Sequence, residues 1–260
     1  MVAGSMLLER KVDSVPIPKL VSEIEGLKRD MVSKYAKFAS EVLSKGEVQT
    51  DKMMMALKNR ERAAFLIRDT DPDMSNVLLK ANADYCTNTA TAMESTYLDV
   101  GNRAPAEAFG EVLQIALSLR SYAAQTLSVM GESAKASDML FEAADRFFNA
   151  AQSFKSAGAL ATTNILDRPD PGVNENKASM LVTISVELFK AGGGILANEG
   201  GEEAVYEKLT DVSKKLDSSG FPLASLAVDE FVLAVISKEY NELSALQRDR
   251  MPPTGLGQYL

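Results

Sequence analysis

Apolar residues in this chain recur at steps of three and four, the spacing that places them on one side of an α-helix. Leu20, Ile24, Leu27, Met31, Tyr35, Phe38 and Val42 form the first such stripe. It follows Val15-Pro16-Ile17-Pro18, where proline holds the backbone extended, and is expected to end at Gly46. A second helical stretch runs from Lys52 to Arg68 and stops at Asp69-Thr70-Asp71-Pro72-Asp73. The third, from Ser75 to about Val100, is less strongly specified, because Thr87, Thr89, Thr91 and Thr96 are poor helix formers. Beyond Gly101-Asn102-Arg103-Ala104-Pro105, a face is shared by Phe109, Val112, Leu113, Ala116, Leu119, Ala123, Leu127 and Met130, and Gly131 interrupts it. Leu140, Ala144, Phe147, Ala151, Phe154, Ala161 and Ile165 carry a face through the next helix, with Glu142 and Arg146 paired four apart on its outside.

Arg168-Pro169-Asp170-Pro171-Gly172 is the strongest break, a long loop or a domain linker over 167–174. After it the pattern predicts a helix from about Lys177 to Lys190 and a turn at Gly192-Gly193-Gly194. A short helix from Glu202 to Leu216 follows. Ser218-Ser219-Gly220-Phe221-Pro222 opens the last helix, which is expected to bury Leu223, Ala227, Phe231 and Val235 and to reach about Arg250. No strand-like alternation bounded by hairpin turns is present. The fold class expected is therefore all-α, seven or eight mostly antiparallel helices in a bundle or helical array, with no sheet of three or more strands. Residues 1–14 read as a flexible start or an expression scar, 15–250 as the helical body, and 251–260 as a mobile tail. Scattered Ala-x3-Phe pairs such as Ala143 and Phe147 do not establish a repeat of about 34 residues.

Composition narrows the chemistry. The 260 residues include no histidine, so neither a Ser-His-Asp nor a Cys-His site can be built from this chain alone. One cysteine, Cys86, gives neither an internal disulfide nor a zinc cage, and reads as a buried inert thiol. With 36 acidic and 28 basic residues the net charge is −8, which opposes binding of nucleic acid or an anionic membrane by the bulk field. The expectation is no metal, no cofactor, no nucleic acid and no catalysis. Apolar runs of the roughly 18–20 residues that a membrane span needs are not apparent, and the expected compartment is the cytoplasm. At 46% hydrophobic residues the chain can bury a large core.

Local constellations offer less than they first suggest. Asp69-x-Asp71-x-Asp73 opens like an EF-hand loop, but Pro72 stiffens the fourth position, Met74 replaces the turn glycine and Lys80 replaces the bidentate glutamate. Gly192-Gly193-Gly194 lacks the preceding strand and the following Lys-Ser/Thr of a phosphate loop, and Glu199, Glu202 and Glu203 would repel phosphate. Of Met53-Met54-Met55, only one or two side chains can point inward. Lys52, Lys58, Arg60, Arg62 and Arg68 cluster on one helix and are the candidates for holding an acidic peptide, a phosphate-bearing partner or a lipid headgroup.

The chain ends Met251-Pro252-Pro253-Thr254-Gly255, then Gly257-Gln258-Tyr259-Leu260. This ending resembles the C-terminal Gly-Gln-Tyr-Leu of actinobacterial proteasome activators, over four residues. The resemblance implies a terminus that docks between subunits of a proteasome ring through Gln258, Tyr259 and the Leu260 carboxylate. The prolines stop the last helix and the glycines loosen the tether, which suits that use. The function expected is that of a non-enzymatic helical interaction or scaffold protein that binds other proteins and forms a homo-oligomer. Two alternatives accompany it: a helical-bundle proteasome activator docking through its tail, and a membrane-binding helical dimer resembling BAR domains with Lys52 to Arg68 against lipid.

Overall fold

A computed structural model describes residues 17–45, 50–100, 106–161 and 171–237. Among them lie eight α-helices and no strand: α1 (Ile17–Leu43), α2 (Thr50–Ile67), α3 (Pro72–Val100), α4 (Ala106–Val129), α5 (Ser133–Ala161), α6 (Pro171–Gly200), α7 (Glu202–Ser218) and α8 (Pro222–Ile236). The all-α expectation is met. Two compact units divide after Asn82, inside α3. Of the expected boundary at 167–174, residues 167–170 lie outside the described residues, while 171–174 are not loop but the first turn of α6. The helices on either side of it, α5 and α6, pack closely together within the second unit.

In the first unit, α1 packs against α2. Ala39, Ala56, Ala63 and Ala64 are fully buried and let backbones approach, while Met53, Leu57 and Ile67 fill the space between. The buried Asn82 amide donates to the Leu57 carbonyl at 2.9 Å. The aspartate-rich loop caps a helix: the Asp71 carboxylate accepts the Met74 N–H at 3.0 Å and Pro72 is the first helical residue, so an orphan donor is satisfied where proline has none to lose. The first stripe is only partly used. Ile24, Leu27 and Met31 are exposed, Leu27 at 64%, so the stripe shares one side of the helix but is left uncovered over the N-terminal half of α1.

In the second unit, α6 is the common neighbour, touching α4, α5, α7 and α8. Phe147, Phe148, Leu181, Leu188 and Phe189 form the centre of its core. The α4–α5 and α7–α8 connections end their helices the same way. Gly131 and Gly220 take φ of 80° and 77°, a region glycine enters without steric cost. Glu132 N–H then reaches the Leu127 carbonyl at 2.9 Å and Phe221 N–H the Leu216 carbonyl at 3.0 Å, the Schellman closure. Lys155 of α5 adds its ammonium to the second turn, donating to the Ser219 and Gly220 carbonyls at 3.1 and 2.7 Å. A cation at a helix C-terminus also complements the dipole of α7.

Four expectations need correcting here. The glycine run makes no turn, because α6 continues through Gly192, Gly193 and Gly194. A Cβ at Gly193 would lie 2.9 Å from Leu209 Cδ1 and 3.0 Å from Phe231 Cε1, so the absent side chains admit α7 and α8. Glu142 and Arg146 do not pair; Arg146 Nη2 instead reaches Glu94 Oε2 at 3.2 Å, because a buried carboxylate attracts it more strongly than an exposed one. Leu223 is 81% exposed rather than buried, and Phe231 is half-buried. Finally, Asn174–Asn198 is long and apolar enough to cross a membrane by composition, although half of its most apolar stretch is buried in the second unit. That burial is what a core helix shows, since α6 is covered by four neighbours.

Candidate functional site

Helix α2 separates its residues cleanly. Met53, Ala56, Leu57, Ala63, Ala64 and Ile67 are buried. Asp51, Met55, Lys58, Arg62 and Phe65, at alternating steps of four and three, are exposed along the opposite side. Met55 and Phe65 are 50% and 44% exposed, and Lys58 and Arg62 stand between them. No ion pair among the described residues involves Lys52, Lys58, Arg62 or Arg68. Arg60 differs: it lies on the flank, half-buried, and donates from Nη1 to Asn82 Oδ1 at 3.3 Å. Of the five basic candidates, Lys58 and Arg62 therefore share this solvent face, Lys52 and Arg68 are exposed but outside its run of steps, and Arg60 helps hold α2 in place. The face combines hydrophobic area with cations, the combination that suits an amphipathic acidic segment.

A second exposed face lies on α8. Ser225, Val228, Val232 and Val235 are buried against α6 and α7, and Ser225 Oγ lies 2.8 Å from Ser213 Oγ. The other side carries Leu223, Leu226, Leu233 and Ile236, all exposed, with the carboxylates of Asp229 and Glu230 among them. This helix has no lysine or arginine. Sequence reasoning missed this face because α8 is apolar nearly all round, so its periodicity does not choose a side. The signal available was the Asp229-Glu230 pair, whose charges must face water and which take Leu226 and Leu233, one turn away on either side, with them.

The buried charges are structural in geometry. Arg120 donates from Nε and Nη2 to the two Glu94 oxygens at 2.8 Å each, and from Nη2 to Thr91 Oγ1 at 2.7 Å. Arg146 joins the same carboxylate, so one glutamate from α3 holds arginines from α4 and α5. Burial pushes the Lys177 ammonium below its ordinary value, and its Nζ sits 5.8 Å from the Phe154 ring centre. Cys86 is buried. Among the described residues no three Cys, Asp or Glu side chains gather in a way that could hold a metal ion. Gln258, Tyr259 and Leu260 lie outside the described residues.

Compared with known proteins, the chain matches no family model and no curated protein.

Proposed function

We propose that this protein is a helical interaction protein that acts by binding other proteins, with the exposed side of α2 as a docking surface for an acidic amphipathic helix. One observation carries the reading: Lys58 and Arg62, outside every ion pair among the described residues, lie between exposed Met55 and Phe65 on one helical face. Apolar contact supplies affinity, and the two cations select against basic partners and orient an acidic one. Binding without catalysis also fits a chain without histidine.

The test uses a synthetic acidic helix with leucines at steps of three and four and glutamates elsewhere, followed by fluorescence anisotropy. Binding by the wild type that is lost in the folded Lys58→Glu/Arg62→Glu variant supports the reading. Failure of the wild type to bind ends it. Sedimentation with vesicles containing phosphatidylserine forms the second arm, and a strong preference for vesicles over the peptide would favour the lipid-binding dimer. A second reading, docking on a proteasome ring, rests on the ending Gly257-Gln258-Tyr259-Leu260. There, deletion of Tyr259 and Leu260 should abolish co-sedimentation with a bacterial-type proteasome core while leaving folding intact.

A further inference from the structure

We infer that the acidic helix received by α2 is α8 of a second copy of this chain, so that the protein associates head to tail. The inference rests on the α2 docking reading and names its partner. On α2, Met55 and Phe65 are ten positions apart with Lys58 and Arg62 between them; on α8, Leu223 and Leu233 are ten positions apart with Asp229 and Glu230 between them. Both intervals span about 15 Å along a helix axis, so apolar ends and charged centres fall into register. The charges are opposite, and α8 brings no cation of its own. Two α8 faces set against each other would place four carboxylates together, and two α2 faces would do the same with cations, so self-pairing of either face is disfavoured. Leu223 and Leu233, at 81% and 66% exposure, leave an apolar row in water that a partner helix would cover. Because the two faces differ, the contact is heterologous: it builds a ring where its rotation closes, or a filament where it does not.

The experiment is a charge exchange read by analytical ultracentrifugation of the full chain. The wild type should associate with rising concentration. Lys58→Glu/Arg62→Glu should shift it toward monomer by at least tenfold in concentration, and Asp229→Lys/Glu230→Lys should do the same. Mixing the two variants should restore association, since the acidic α2 of one then meets the basic α8 of the other, and so should all four substitutions in one chain. Circular dichroism confirms that each variant is folded. A monomeric wild type, or association indifferent to either reversal, overturns the inference. If that monomer still binds the acidic peptide through α2, the broader reading survives. Hydrogen exchange on the same monomer then shows whether residues 238–260 of the chain cover the α8 leucines instead.

Discussion

A methyl group added at Gly193 meets Leu209 and Phe231 at 2.9 and 3.0 Å, whereas one added at Gly26 in α1 meets nothing within 4 Å. Gly193→Ala is therefore expected to destabilise the fold by about 1–3 kcal/mol through overpacking, less the ~1 kcal/mol that alanine gains in helix propensity. Gly26→Ala should stabilise by up to about 1 kcal/mol, and urea denaturation of the pair shows the opposite signs. At Glu94, replacement by glutamine leaves two guanidiniums facing a neutral amide. The loss expected is about 3–5 kcal/mol, against almost none for Glu142→Gln, whose exposed side chain holds no arginine. Lys177 gives a pH dependence. Its folded-state pKa lies below the ordinary 10.5, so the unfolded chain binds the proton more tightly and stability rises with pH as 10.5 is approached from below. Lys177→Met removes that rise, so the wild type should gain on the variant up to about pH 10.5 and then level off.

At the level of single helices, the apolar steps were legible wherever one face is polar. Phe147 lies on such a stripe in α5 and is fully buried, and Phe147→Ala should cost about 3–5 kcal/mol. Phe231 is only half-buried, with its ring edge against Gly193, so Phe231→Ala should cost clearly less in the same denaturation series. In α8 only Asp229 and Glu230 mark the water side among apolar residues nearly all round, and a buried assignment for Leu223 misplaced the stripe by part of a turn. In α6 three glycines in a row look like a stop, because each weakens an isolated helix by about 1 kcal/mol. Contact overrides propensity there: Ser137 Oγ donates to the Gly192 carbonyl at 2.9 Å, and Phe141 lies 3.3 Å from where a Cβ would sit, so α5 supports the helix at the point where the local sequence would let it fray.

At the scale of the molecule, a contact built on Lys58 and Arg62 against Asp229 and Glu230 should weaken with salt. Raising ionic strength from about 0.05 to 1 M shortens the Debye length to about 3 Å, and sedimentation should show fewer assemblies in wild type but little change in a variant with all four residues made neutral. Helical class and most helix breaks were readable from the chain alone, because steps of three and four, capping aspartates and left-handed glycines act over a few residues, and Asp71-Pro72, Gly131 and Gly220 act in that local way. Which apolar faces are covered required the fold. Leu27, Leu223 and Leu233 have the same side-chain chemistry as buried Leu57 and Leu181, and only the presence or absence of a neighbouring helix separates them. The pairing of Glu94 with Arg120 and Arg146 also spans three helices, and nothing local connects residues so far apart in the chain. Periodicity turns a side chain toward one side of its helix, while burial depends on what the rest of the chain brings to that side.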